Sequence, residues 1–218
     1  MKHSSSNRLN IRHLEHFTGE TLFDRIARAV CGAECLPRKE LYESWEVARR
    51  IHRRIKGMRL IDLACGHALL PYIMLLLDRS IPEAIAIDCK IPASAKKLAE
   101  SLSETWPTLA GKITLQEKDI ADADIRKNDL LVSVHGCGNL TDQIIDLAIE
   151  NGAHLALLPC CHDLKRSETG NLEGWLEPTM AVDVMRVARL QSAGYNINTG
   201  LIPETITPKN RLLIATRA

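Results

Sequence analysis

The sequence predicts an α/β protein: a seven-stranded, mostly parallel sheet whose last strand runs antiparallel, preceded by a helical extension over residues 1–57. Three observations predict it. From Met58 onward, short apolar runs alternate with helical patterns, as in a parallel sheet covered on both faces. The link between the last two runs, Pro203–Asn210, is too short for a helical crossover, so that pair must be antiparallel. Hydrophobic residues make up 45% of the chain but aromatic ones only 4%, so the core must be built from Leu, Ile, Ala and Val.

The elements follow in order. Residues 1–18 read as a frayed, polar start. Leu22, Ile26, Ala29 and Val30 then fall on one face of a helix that Gly32 ends. Pro37 opens a second helix in the first-turn position that proline tolerates. Its apolar face carries Leu41, Trp45, Ala48 and His52, and Gly57 closes it. Strands are expected at 59–64, 84–87, 112–116, 129–134, 154–158, 195–202 and 211–216. Helices are expected at 68–79, 92–105, 141–150 and 178–193. Thr141 is the expected N-cap of the third of these, with Gly152 past its end. The boundary at 57/58 separates the extension from a domain over 58–218.

Composition excludes several classes. The chain has 218 residues with 25% charged, ordinary for a globular protein and unlike disorder, collagen or a coiled-coil rod. No apolar run reaches the roughly 18 residues of a membrane span. The longest, 68–77, contains Pro71 and stops at Asp78-Arg79. The polar start lacks a signal peptide's apolar centre. Seven cysteines, an odd number, and a start without a signal-peptide pattern argue against a disulfide framework and for a reducing, cytoplasmic setting. There is no Cys-x-x-Cys, so the standard zinc-finger spacing is absent. Residues 1–57 hold 12 basic and 7 acidic residues, whereas the rest hold 16 and 20. A basic extension on a mildly acidic body hints at a polyanionic partner.

In an open α/β sheet the ligand sits beyond the carboxyl ends of the strands. The first strand ends in Asp62-Leu-Ala64-Cys-Gly66-His-Ala68, whose small residues let a backbone approach a ligand closely. Asp88 ends the second strand, where an acid can accept both ribose hydroxyls of an adenine nucleoside. Asp119 follows the third strand and is placed to meet an adenine amino group. A dinucleotide oxidoreductase needs Gly-x-Gly-x-x-Gly, and the residues after Gly66 hold no second glycine.

The runs IDLACGHALLP, AIAIDCK, VSVHGCGNLTD and LPCCH resemble those of class I S-adenosylmethionine-dependent methyltransferases. They are most similar to the Rossmann-like family that includes the tRNA acceptor-stem 2′-O-methyltransferase. That family has a His-x-Cys-Gly-x-x-Thr-Asp run after strand four and Cys-Cys-His after strand five. Here these are His135 to Asp142 and Cys160 to His162. The resemblance covers about 58–218. It implies S-adenosylmethionine as cofactor, held by Asp62, Ala64, Gly66, Ala68, Asp88, Asp119 and His135. It implies RNA, including tRNA, as acceptor. Two departures stand out: Ala68 occupies a position that is usually Gly, and the tRNA enzyme's N-terminal zinc-finger modules have no counterpart.

His135 is the candidate general base, because histidine titrates near neutrality. Asp142 is the second candidate, or else it orients the helix that follows. No Asn/Asp-Pro-Pro-Tyr motif follows strand four, which argues against adenine N-methylation. Cys160 and Cys161 admit three readings: a nucleophile on a pyrimidine ring, a metal site with His135, Cys137 and His162, or soft packing of the site floor. Adjacent cysteines fit a tetrahedral metal awkwardly, so no metal is expected, and Cys160 is kept with His162 as a candidate at the reacting centre. Arg50 and Arg54, on a stripe with Arg49, Arg53 and Lys56, either contact RNA phosphates or complement the helix end. A small-molecule or protein methyltransferase would share the cofactor site without needing this stripe.

Overall fold

The protein is described by a computed structural model over residues 2–217. Its strands are β1 (Leu60–Leu63), β2 (Ala84–Asp88), β3 (Ile113–Glu117), β4 (Leu130–Ser133), β5 (His154–Leu157), β6 (Tyr195–Leu201) and β7 (Arg211–Arg217). They form one sheet in the order β3-β2-β1-β4-β5-β7-β6. The first five are parallel, and β7 runs antiparallel to both β5 and β6. The strand order therefore reverses between β1 and β4, where an open parallel sheet leaves a crevice.

Six helices cover the sheet: α1 (Leu22–Ala33), α2 (Arg38–His52), α3 (Leu69–Leu77), α4 (Ala95–Thr105), α5 (Asn139–Asn151) and α6 (Pro178–Ser192). Side chains alternate between the sheet faces along each strand, so each strand feeds two cores. Leu60, Leu130, Val132 and Ala156 pack with Val30, Leu41, Ile51, Ile73 and Leu98 on the α1–α4 side. Ile61, Leu63, Leu131 and Leu155 pack with Ile144, Ile145 and Leu190 on the other. The helices of the extension thus line one sheet face and share its core. The 57/58 boundary falls between α2 and β1, inside that shared packing.

Three expectations are corrected. Within the stretch expected to be frayed, residues 2–18 are held in place and Met1 lies outside the described residues. Leu9 and Phe17 are fully buried, a 3₁₀ turn spans Ile11–His16, and the Leu9 N–H donates to Leu36 C=O at 2.9 Å. Two well-spaced apolar residues suffice to fasten a polar segment. Second, α2 ends at His52, not at Gly57; a turn with Ile55 N–H on Ile51 C=O follows it. Third, Thr141 does not cap α5. Gly138 is the N-cap at φ 59° and ψ −124°, a backbone shape suited to glycine, and Thr141 Oγ1 donates to Gly136 C=O at 2.6 Å.

The buried end of the sheet opposite the crevice is tied by ions. Arg59 Nη1 donates to Asp129 Oδ2 and Nε to Glu83 Oε1, each at 2.7 Å. Among the described residues no helix is long and apolar enough to cross a membrane.

Candidate active site

The loop after β1 turns sharply. Ala64 and Ala68 both adopt φ 58° and Gly66 φ 53°. Left-handed alanines cost about 1–3 kcal/mol each and persist only where the surroundings enforce them. Ala68 takes the shape glycine would adopt freely, which accounts for a glycine being usual there; its side chain is fully buried at the head of α3. Gly66 differs, because a Cβ there would meet no atom within 4 Å. That open space belongs to a pocket of about 200 Å³, lined by Asp62, Ala64, Gly66, His67, His135, Glu40 and Ser44, among others.

Asp62 shares a strand face with Leu60, so it points toward α2 rather than α5. It is 3% exposed. Burial, with Asp88 nearby, pushes its carboxyl well above the usual range. Glu40, in the first turn of α2, faces the same pocket. Burial and then Glu43 raise its carboxyl to about 7, against a smaller pull from Lys39. His135, just past β4, closes the other wall; burial, then the Lys39 ammonium, pushes its imidazole down to about 4.

Asp88 stands beside the loop. Its Oδ2 accepts the Gly66 N–H at 2.9 Å and its Oδ1 the Lys90 N–H at 3.2 Å. The carboxylate that ends β2 therefore fixes the turn after β1. Asp119 is exposed farther along the rim, where its Oδ1 accepts the Ala121 N–H at 2.9 Å. His67 is held by Ser94, Nε2 to Oγ 2.9 Å.

The remaining candidates gather elsewhere. Asp142 is gripped by Arg186 through two bonds, Nε to Oδ1 at 2.9 Å and Nη2 to Oδ2 at 2.7 Å. It serves as the anchor between α5 and α6. His162 Nε2 lies 2.7 Å from Asp183 Oδ1, and Asp183 also receives Arg211 Nε at 2.6 Å. Cys160 lies 2.7 Å from Cys137, sulfur to sulfur. Burial, then Cys137, pushes the Cys160 thiol up, whereas Lys209 Nζ, 3.3 Å from the Cys161 sulfur, pulls that thiol down. Arg50 pairs with Glu46 and donates to Leu201 C=O at 3.1 Å, which clamps α2 to β6. Arg54 lies exposed beyond the helix end, next to exposed Arg53.

The structure thus joins Asp62, Ala64, Gly66 and His135 in one pocket, with Asp88 behind its loop. Asp142 and His162 are paired on α6 instead. Sequence reasoning missed Glu40 and Ser44. The signal available was their spacing of four, which puts both on one helix face, with an acid in the first turn.

The sequence matches, over residues 38–168, a family described as a methyltransferase domain. No curated protein matches it. Among solved structures, an O-methyltransferase family protein from Burkholderia thailandensis superposes with a TM-score of 0.55 at 18% identity, over 94% of this chain and 63% of that one. A precorrin-6y methyltransferase from Geobacter metallireducens GS-15 gives 0.53 at 14%, over 80% and 87%. The B. subtilis tRNA methyltransferase TrmK gives 0.52 at 16%, over 78% and 65%. The chain spans less than two thirds of the length of the first and third. These likenesses concern the fold.

Proposed function

This chain belongs to the methyltransferase domain family, and on that premise we propose that it transfers a methyl group from S-adenosylmethionine to RNA. The observation that carries the cofactor reading is the charge of the pocket. Asp62 and Glu40 line it, and Lys39 acts on Glu40 through its charge alone, its ammonium lying 3.3 Å from Glu43. A buried and a half-buried carboxyl, both held high in pKa, gain from a cation. S-adenosylmethionine carries an ammonium and a sulfonium; a dinucleotide would bring a pyrophosphate to the same two acids. Gly66 leaves a cradle that a side chain would fill. The residues present therefore fit the group.

Bound there, the cofactor supplies an electrophilic methyl on sulfur. The chain's own residues do the rest. Asp62 and Glu40 hold the cationic end. Asp88, already oriented by the Gly66 and Lys90 N–H groups, offers its remaining lone pairs to ribose hydroxyls. His135, on the pocket wall, is placed to hold the acceptor or take its proton.

The RNA reading rests on the basic extension, with Arg53, Arg54 and Lys56 exposed at the end of α2. The likeness in fold to TrmK, a tRNA methyltransferase, is consistent with it. The test is RNA binding at several salt concentrations. Each phosphate neutralised contributes a slope of about 0.7 to 0.9 in log affinity against log salt. Replacing Arg53 and Arg54 together by Ala should flatten the slope by about one to two contacts. Equal slopes, with methyl label passing from the cofactor to a small molecule instead of RNA, would overturn the RNA reading.

A further inference from the structure

We propose that Cys137, Cys160 and Cys161 form a three-thiolate site for a thiophilic divalent cation, Zn²⁺ above all, with a fourth coordination position open to an exogenous ligand. Cys137 comes from the loop after β4 and the adjacent pair from the loop after β5. The two loops are tied together, because the Gly138 N–H donates to Cys161 C=O at 3.1 Å. All three sulfurs lie within 4.8 Å of one another. Zinc–thiolate bonds of about 2.3 Å arranged as a tetrahedron place sulfurs about 3.8 Å apart, so the Cys137 and Cys160 sulfurs, 2.7 Å apart here, open by about 1 Å on binding. Although the two are neighbours in sequence, both sulfurs of the pair lie within 4.8 Å of the Cys137 sulfur.

Three further observations fit a metal better than inert packing. Cys137 and Cys161 are exposed, whereas packing cysteines are buried, as Cys31 and Cys35 are here. Lys209 Nζ stands 3.3 Å from the Cys161 sulfur. Zn²⁺ with three thiolates carries a net charge of about −1, and an adjacent ammonium offsets it. Finally, among the described residues no fourth His, Cys, Asp or Glu donor joins the group. His162 is the neighbour in sequence, but its Nε2 faces Asp183. Three protein ligands and one open position is the arrangement of reactive zinc sites, whereas closed four-ligand sites are structural. Cys137 is two residues from His135, so the cluster and the pocket wall share the loop after β4. Binding converts three thiols to thiolates and releases three protons, so uptake is coupled to pH.

This inference goes beyond the methyltransferase reading and is tested without activity. The full chain, purified under reducing conditions without chelator, is assayed for metal by plasma mass spectrometry. One zinc per chain is expected. Cys137→Ser and Cys160→Ser should each lose most of it, while Cys89→Ser, at an exposed thiol outside the group, should keep it. Unfolding curves check that the variants fold; a variant that does not fold is replaced by Cys161→Ser. Loading with Co²⁺ should give sulfur-to-cobalt absorption in the near ultraviolet and an intense tetrahedral visible band. Metal content at trace level in the parent with no cobalt spectrum would overturn the proposal. So would a Cys137–Cys160 disulfide, found by non-reducing peptide mapping, as the ordinary state of the protein.

Discussion

At the scale of single residues, the pocket's character comes from acids that the fold keeps out of water. Glu40 gives the most direct readout. Its carboxyl titrates at about 7, so it is mostly neutral at pH 6 and half ionised at pH 7. A cationic cofactor binds the ionised form, so affinity should rise with pH. If only that form binds, the gain from pH 6.0 to 7.0 is roughly fivefold, since apparent affinity scales with the competent fraction. This window stays below the titration of an α-amino group, about 7.7–8.0. Asp62, also raised, adds to the same sign, while the His135 imidazole, lowered to about 4, stays neutral there and burial lowers that of His67. Titration calorimetry at the two pH values checks this, and Glu40→Gln should shrink the difference to what Asp62 alone contributes. Gly66 and Asp88 could be found from the sequence because their roles follow from strand ends and spacing. Glu40 could not: on a sequence it is one more acid on an amphipathic helix, and only the packing of α2 over β1 brings it to Asp62.

At the scale of elements, strands and helices were legible because their apolar periods are clean, and their ends were less so. The start of α5 depends on a positive φ at Gly138, and the end of α2 on a turn that no capping residue announces. The helical extension was legible as two helices but not as a wall of the pocket, because covering a sheet face is a property of packing rather than of pattern. The sheet's far end depends on a buried pair that composition does not reveal. Arg59 and Asp129 are 9% and 3% exposed, and Glu83 and Asp124 complete the cluster. Removing one partner leaves the other charge buried. Arg59→Met should therefore cost about 3–5 kcal/mol, read as a lower midpoint in urea unfolding with the slope unchanged. A change below about 1 kcal/mol would mean that water reaches Asp129 and that β1 and β4 do not depend on the pair.

At the scale of the whole molecule, the sheet reversal between β1 and β4 places the loops after β1, β2 and β4 around one crevice, and the N-terminal helices close its side. Charge is divided on α2 itself, with Glu40 facing the pocket and Arg53, Arg54 and Lys56 exposed just past the helix end. The central claim is that this crevice holds S-adenosylmethionine. The measurement that tests it most directly is titration calorimetry of the purified chain with S-adenosylmethionine, its demethylated product and NAD, repeated on Asp88→Ala and Gly66→Val. One molecule of S-adenosylmethionine or its product should bind per chain, and NAD should not. Asp88→Ala should weaken binding by about 1.5–3 kcal/mol, the scale of hydrogen bonds to a charged group, and Gly66→Val should weaken it more, because its side chain would enter the cradle at a strained backbone position. Binding of NAD in place of S-adenosylmethionine, or equal affinity in the parent and both variants, would contradict the account.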